Sequence, residues 1–444
     1  MEKAETLITG ILEERPKYFP TRLLKGELLV QTRRFDDAVA LLNQLVKEEP
    51  NAFRAHYLLG VSYLGKGDVS MAKASIGKSV EANPRFTKAK LLMAEIHLRQ
   101  RDFQLAEKEC NDILAESPDN YQANLILGNA HLSQKNYDRA EQTFKKLISL
   151  DANNPTGYFR LGLLQRMNKQ FKPALANFDK ALSINPKLMD VFTNVILLHT
   201  EKKEFKTALK KCDQQIAIIG DVPAVHAVIH NLRGGLYLSQ NQTGEAEAAF
   251  IKALEANPDY LRSYYALARL YLSGNNQDKA IAQYESILQK EPRQTSANMM
   301  LGTIYDLKKR FDLSEKYYRA ALDVNPDFAP AANNLAYLLA IQDRNIDEAL
   351  GFAQKAKERL PDEASVMDTL GWIYYKKGLY DSAISEFKDS LKKLADNPTV
   401  NYHLGMAYFK KGETSRAKIQ LQKALDLSEN FDGADEARKT LSQL

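Results

Sequence analysis

The segment from Phe53 to Phe86 reads FRAHYLLGVSYLGKGDVSMAKASIGKSVEANPRF and contains Gly60 and, twelve residues later, Ala72. Both small residues return every 34 residues along most of the chain. A period of this length is typical of a helical solenoid, whose repeats pack only on their neighbours. The period therefore predicts an all-α solenoid that acts as a binding scaffold. Small residues fill the first column at Gly26, Gly60, Ala94, Gly128, Gly162, Gly234, Ala268, Gly302, Ala336, Gly371 and Gly405.

Twelve such repeats account for most of the 444 residues. Each repeat predicts two amphipathic helices, because apolar residues recur at i, i+3, i+4 and i+7 on both sides of a short turn. Prolines such as Pro84 and Pro118 end a hairpin, since proline cannot continue a helix. The repeats begin at Phe19, Phe53, Thr87, Tyr121, Pro155, Met189, Ala227, Leu261, Thr295, Ala329, Ala364 and Pro398.

The departures from the period predict the domain organisation. We predict the second helix of a truncated repeat (1–18), an N-terminal array of six repeats (19–222), an insertion or hinge (223–226), a C-terminal array of six repeats (227–431) and a cap helix (432–444). The insertion lengthens the step between the sixth and seventh repeats to 38 residues, and a loop without a mechanical role is the alternative. Because the chain opens in mid-repeat, we expect a piece of a longer protein, with a lone packing helix as the alternative.

The pattern within one repeat is similar to a known family. Leu370-Gly371 is followed by Tyr374, Ala383 and Phe387, which resembles the tetratricopeptide repeat (TPR) pattern W-x2-L-G-x2-Y, A-x3-F and P. The resemblance implies a right-handed α-solenoid of about twelve helix hairpins with a C-terminal cap helix. It also implies that the first helices line a concave groove through positions 2, 5, 9 and 12 of each repeat.

Composition and charge exclude several other classes of protein. Apolar residues make up 44% and charged residues 26% of the chain, which is ordinary for a folded protein. The net charge of +5 is dispersed, with no run of like charges that would indicate a nucleic-acid or membrane patch. No stretch approaches 18 consecutive apolar residues, so no transmembrane segment is predicted.

The cysteines and histidines, which are the candidates for catalysis or metal binding, are better explained by packing between helices. Cys110 and Cys212 occupy the large apolar column of the second helix, and their separation in the repeat excludes a disulfide between them. His226 and His230 have a spacing that can bind a metal, but no third ligand is supplied nearby. We therefore predict no catalytic residue, no metal site and no cofactor.

The predicted groove changes character along the chain. In the first array its columns are mainly apolar, as at Leu23 and Tyr57. In the second array aromatic and Met side chains are interleaved with polar groups, which is the composition of interaction hot spots. Packing between helices is the alternative explanation for much of this set. The predicted partner-binding residues are Tyr265, Arg269, Met299, Asn333, Tyr337, Asp368, Trp372, Tyr375, Tyr402, Met406 and Phe409.

The last repeats carry a more particular resemblance. Asn333-Asn334-Leu335-Ala336-Tyr337, Ile346-Asp347-Glu348-Ala349-Leu350, Met367-Asp368-Thr369-Leu370-Gly371-Trp372 and Tyr402-His403-Leu404-Gly405 are similar to the C-terminal region of bacterial envelope TPR proteins of exopolysaccharide and PEP-CTERM/exosortase systems. The resemblance implies a scaffold in polymer export or surface-protein sorting. It implies a periplasmic or envelope-associated location if the chain is part of a longer exported protein, and a cytoplasmic one if the chain is complete.

The function predicted from these observations is a non-catalytic scaffold that binds protein or peptide partners in its groove. A groove that holds polysaccharide is one alternative, since aromatic rings also stack on sugars. A repeat region that regulates an attached enzyme is the other.

Overall fold

The computed structural model describes residues 2–444, and every regular element in that range is an α-helix. Met1, the start of the predicted truncated repeat, lies outside the described residues. The chain forms two compact units, of which the first ends at Gly220 and the second spans Asp221–Leu444. None of the helices between residues 2 and 444 is long and apolar enough to cross a membrane.

The first unit contains helices α1 to α13. We call the first helix of each hairpin its A helix and the second its B helix. The A helices are α2 (Phe19–Gln31), α4 (Phe53–Gly65), α6 (Thr87–Gln100), α8 (Tyr121–Ser133), α10 (Pro155–Met167) and α12 (Met189–Glu201). The B helices are α3 (Phe35–Glu48), α5 (Val69–Ala82), α7 (Phe103–Glu116), α9 (Tyr137–Leu150), α11 (Phe171–Ile184) and α13 (Phe205–Ile219). Before them, α1 (Glu2–Glu14) packs on α2.

The second unit contains helices α14 to α26 and follows the same plan. Its A helices are α14 (Pro223–Leu238), α16 (Leu261–Ser273), α18 (Thr295–Leu307), α20 (Ala329–Ile341), α22 (Ala364–Lys376) and α24 (Pro398–Lys411). Its B helices are α15 (Thr243–Ala256), α17 (Gln277–Lys290), α19 (Phe311–Val324), α21 (Ile346–Arg359), α23 (Tyr380–Leu391) and α25 (Thr414–Leu427). A last helix, α26 (Ala434–Leu441), packs on α24 and α25.

Eleven of the twelve predicted repeat starts coincide with the first residue of an A helix. The exception is the seventh repeat, where α14 begins at Pro223 instead of Ala227. Residues 223–226, expected as an insertion or hinge, therefore form the first turn of a longer helix. Pro223 suits this position because the first helical residue needs no N–H partner within the helix.

The turn between the helices of a hairpin reverses the chain through one left-handed residue, or two in the tenth repeat, where Asn345 is also left-handed. At Lys135 φ is +63°, and the N–H of Asn136 donates to the carbonyl of His131 at 2.8 Å, which closes the end of α8. Twelve turns contain such a residue, at Arg33, Gly67, Arg101, Lys135, Lys169, Lys203, Asn241, Asn275, Lys309, Asp343, Gly378 and Gly412. The tight reversal returns the B helix directly onto its A helix.

The two helices of a hairpin cross closely at the small residue of the A helix. A Cβ atom added at Gly128 would lie 2.5 Å from Cε1 of Phe144, and one added at Gly302 would lie 2.5 Å from Cδ1 of Tyr318. These distances are well below van der Waals contact, so the glycine column is required by packing. The alanine of the B helix, such as Ala140, is fully buried in the same hairpin core.

Ser314 is the one interruption of the B-helix alanine column. Its side chain is fully buried, and its Oγ donates a hydrogen bond to the carbonyl oxygen of Gly302 at 2.9 Å. A buried hydroxyl is tolerated when it is hydrogen-bonded, and here its partner is the small residue of the same crossing. The polar replacement therefore preserves the close approach of the two helices.

We expect Gly128→Ala to destabilise the first unit by about 1–2 kcal/mol, because overpacking against Phe144 outweighs the gain in helix propensity. The matched control is Gly77→Ala in α5, where the added Cβ would meet only the Met93 Cε atom at 3.9 Å. The control should be neutral or stabilising by up to about 1 kcal/mol. Thermal unfolding followed by circular dichroism compares the two, and equal melting temperatures would contradict the packing argument.

We also expect the Cys110 thiol to be unreactive in the folded protein. Burial, followed by the charges of Glu109 and Glu107, raises the pKa of this thiol to about 12, and its side chain is fully buried. In a Cys212→Ala background, labelling by a thiol reagent at pH 8 should be at least about a hundredfold slower than in urea, since it requires local opening. Rapid labelling of the native protein would show that α7 is not packed as described.

Candidate partner-binding site

One cavity in the second unit is lined by successive A helices. It has a volume of about 290 Å³. Asp306 reaches it from α18, Asn333 and Tyr337 from α20, and Asp368 from α22. Residues at the start of α24 and in the loop before it complete the wall. We call it the A-face cavity, and its lining residues are Asp306, Asn333, Asn334, Tyr337, Ser365, Asp368, Thr369, Leu394, Asn397, Thr399 and Val400.

Asp368 is held in place by a buried histidine from the next repeat. The Nδ1 atom of His403 lies 2.9 Å from Oδ1 of Asp368, and the histidine is almost completely buried. The His403 ring stacks on Trp372 with 4.1 Å between the ring centroids. Because the His403 ring is buried and stacked on Trp372, its contact with Asp368 holds the carboxylate at the wall of the cavity.

Trp372 was expected to contact a partner, but it belongs to a packed aromatic cluster. Its ring stacks on Tyr375 with centroids 4.7 Å apart and lies 6.1 Å from the Tyr402 ring. Only 8% of its surface is exposed, and its Nε1 atom is buried without a hydrogen-bond acceptor within the described residues. Its role in the structure is to support the wall that carries Asp368.

Tyr402 and Met406 are covered by the cap helix. The Tyr402 hydroxyl donates to Glu436 Oε2 at 2.7 Å, and the Thr440 hydroxyl lies 3.6 Å from the Met406 sulfur. These side chains are 3% and 2% exposed, so the expectation that they face a partner is corrected: they form the contact between α24 and α26. Burial and then Glu436 raise the pKa of Tyr402.

The remaining predicted contact residues are divided between exposed and packed positions. Arg269 is exposed, and Tyr265 is half-buried with its ring 6.1 Å from that of Tyr284. Neither of them lines the A-face cavity. Met299, Tyr375 and Phe409 are partly buried and pack against the core of the second unit. Of the eleven predicted residues, the structure brings Asn333, Tyr337 and Asp368 together in the cavity.

The cavity is electronegative. Burial first, and then Asp368, Asp432 and Asp306, raise the pKa of Tyr337 to about 12. Burial and the charge of Asp432 raise the pKa of Asp306. Asp306 and Asp432 were not among the partner-binding residues predicted from the sequence. Asp306 stands at position 12 of its repeat, where an apolar residue is expected, and that departure is the signal that could have found it.

The first unit has a second, more apolar cavity of about 510 Å³. It includes Leu23 and Tyr57, both of which stand in the columns predicted to line a groove. Burial, followed by Glu95 and Glu27, raises the pKa of Tyr57. The lining residues are Pro20, Leu23, Leu24, Glu27, Arg54, Tyr57, Leu58, Phe86 and Lys88.

Three sequence models, each described as a tetratricopeptide repeat, match more than half of the chain. One matches residues 23–74, 62–121, 91–157 and 127–188, a second matches 237–304, and a third matches 295–328, 364–392 and 398–431. The chain belongs to the tetratricopeptide repeat family. TPR proteins generally mediate protein–protein interaction, and no catalytic family is indicated.

The chain is similar to parts of longer TPR proteins. It is 30% identical to a TPR repeat-containing protein of Pseudomonas aeruginosa over 158 residues, which are 35% of this chain and 26% of that protein. It is 23% identical to the mitochondrial import receptor subunit TOM70 of Homo sapiens over 178 residues, 38% of this chain and 29% of the receptor. The matches thus span less than a third of these relatives, and they do not confirm the resemblance to envelope proteins of export systems.

Among solved structures, the chain is similar to a subunit in the hetero-tetramer of the APC/C proteins Cut9 and Hcn1. The TM-score is 0.44 at 16% sequence identity, and the alignment covers 99% of this TPR chain and 98% of the other. A second similar structure is YrrB, titled a TPR protein with an unusual peptide-binding site, with a TM-score of 0.37 and 24% identity. That alignment covers 44% of this chain and 99% of YrrB.

We expect Ala437→Gln to release the cap helix, because Ala437 is fully buried and a glutamine amide there has no room or partner. The loss should be about 1–3 kcal/mol, with increased exposure of Tyr402. Lys439→Gln, at an exposed position of the same helix, is the control. Thermal unfolding and the hydrogen exchange of α24 report the difference, and a variant as stable as the control would show that α26 does not cap the unit.

Proposed function

We propose that this TPR protein is a non-catalytic scaffold whose A-face cavity holds a segment of a partner protein. The main support for the proposal is that residues of four successive A helices, α18, α20, α22 and α24, line one cavity. At the wall of this cavity the Asn333 Oδ1 atom is buried without a hydrogen-bond donor within the described residues. A folded protein normally satisfies such atoms, and an unsatisfied one at a cavity wall is typical of a functional site. A segment bound in the cavity would be held in position by the rigid hairpins on either side.

A protein segment fits the cavity better than a polysaccharide does. Sugar binding by stacking requires accessible aromatic faces, but Trp372 is packed between Tyr375 and His403, and Tyr337 is the one aromatic ring in the described lining. The accessible wall is formed by carboxylates, amides and hydroxyls, with Tyr337 among them. The comparisons give no support for a polysaccharide partner.

We also propose a bacterial export or exopolysaccharide assembly complex as the setting of this scaffold. The support is the resemblance carried by the stretches 333–337, 346–350, 367–372 and 402–405, which include five of the cavity-lining residues. A regulatory repeat region attached to an enzyme stays the alternative prediction.

A random peptide library displayed on phage tests the proposed function. We expect selection on the wild-type protein to enrich a peptide family, and Tyr337→Ala to weaken its binding at least about tenfold, as for an interface hot spot. Tyr317→Ala is the matched control, because Tyr317 is also half-buried but lies on the B helix α19, stacked on Tyr305.

Fluorescence anisotropy of the selected peptides measures both variants, and circular dichroism establishes that each is folded. Failure to enrich any peptide would overturn the proposed function. Equal weakening by Tyr337→Ala and Tyr317→Ala would also overturn it, because binding would then not depend on the A-face cavity.

A further inference from the structure

The A-face cavity concentrates negative charge without a cation. Asp306 and Asp368 both line it, and Asp432 lies close enough to act on Asp306 and Tyr337. The lining contains no Lys, Arg or His side chain among the described residues. Carboxylates at a partly buried wall are costly to ionise unless a positive group lies against them.

Asp306 differs in this respect from Asp368. Asp368 has His403 at 2.9 Å, whereas no basic side chain within residues 2–444 forms an ion pair with Asp306. The half-buried Asp306 has only burial and another carboxylate acting on it, and both oppose its negative charge. Its carboxylate is therefore the acceptor in the cavity that most needs a partner from outside the chain.

An independent observation comes from Asn333. This side chain is only 9% exposed, and its Oδ1 atom has no hydrogen-bond donor within the described residues. Its Nδ2 atom donates to Asn334 Oδ1 at 3.4 Å, so the amide nitrogen has a partner and the amide oxygen does not. The free acceptor belongs to a residue that lines the same cavity as Asp306. The cavity thus has an acceptor without a donor beside a carboxylate without a cation.

We propose that the A-face cavity receives the cationic side chain of an arginine or lysine from a partner protein. This rests on the proposed function and adds to it the chemical class of the residue that is recognised. The cation lies between the carboxylates of Asp306 and Asp368 and packs against the ring of Tyr337.

Arginine meets these requirements better than lysine. Its guanidinium group is planar, carries five N–H donors and stacks on aromatic rings, so one group can serve two acceptors and a tyrosine face. A lysine ammonium offers the charge and three donors but not the flat surface. A metal ion is a poor alternative, because no cluster of three His, Cys, Asp or Glu within residues 2–444 has metal-binding geometry.

Four labelled pentapeptides test the charge requirement directly. They have the form acetyl-Ala-Ala-X-Ala-Ala-amide with X as arginine, lysine, citrulline or glutamate, and a fluorophore on the carboxyl-terminal side. Citrulline keeps the shape of arginine and removes its charge. We expect anisotropy titrations to show arginine bound at least about tenfold more tightly than citrulline, since hydrogen bonds to charged groups are the stronger ones. Lysine should lie between them.

Asp306→Asn should abolish this preference for arginine over citrulline, and it should preserve the fold because the replacement is isosteric and removes an unpaired charge. Asp323→Asn is the matched control, since Asp323 is an exposed carboxylate on the B helix of the same hairpin. It should leave the preference within about twofold of the wild type, because exposed charges are screened.

Equal affinity for arginine and citrulline in the wild-type protein would overturn the cation proposal, and so would equal effects of Asp306→Asn and Asp323→Asn. Different results distinguish a failure of the cation proposal from a failure of the proposed function. If library peptides bind in a Tyr337-dependent manner without enrichment of basic residues, the scaffold stands and the cation proposal falls. If no library peptide binds but the arginine preference depends on Asp306, the cavity binds a cationic group, and the proposal that it holds a segment of a partner protein is wrong.

Discussion

The close crossing of the A and B helices within each hairpin is the contact on which the rest of the structure depends. At Gly128 the A helix lies so near Phe144 that even one added methyl group would overlap the ring. The crossing makes each hairpin a compact unit with one exposed apolar side. Stacking hairpins buries that side, and the next A helix then lies beside the previous one. Side chains 34 or 35 residues apart, such as Asn333 and Asp368, thereby reach the same cavity.

The A-face cavity arises where polar residues stand in columns that elsewhere serve packing. Asp306 replaces an apolar residue at position 12, and Asn333 stands at position 5. These positions reduce stability, because the Asn333 acceptor is unsatisfied and the Asp306 charge is not neutralised. The packed cluster of Trp372, His403 and Tyr375 supports the wall beside them. Local departures of this kind are typical of functional sites, where consistency with the fold is given up for binding.

Some surface carboxylates of the repeats form ion pairs with lysines of the following repeat. Lys308 pairs with Asp278 at 2.8 Å, and Lys411 pairs with Asp381 at 2.7 Å, in each case across 30 residues to the preceding repeat. Such exposed pairs contribute little to stability, on the order of 0–1 kcal/mol each. They show that basic side chains are supplied to acidic ones along the repeat. Asp306 has no such partner within residues 2–444, although it is half-buried and lines the cavity.

The sequence by itself determined the all-α fold, the TPR family resemblance and eleven of the twelve starts of the A helices. It could do so because the crossing and the turn are local constraints that repeat with the same residue types. It also placed Asn333, Tyr337 and Asp368 among the candidate residues. Only the tertiary structure decided which columns are accessible. The cap helix buries Tyr402 and Met406, the ring stack buries Trp372, and Asp306 and Asp432 approach Tyr337 from distant positions. Exposure and electrostatic environment depend on what neighbouring repeats place on a side chain, and a column pattern within one repeat does not contain that information.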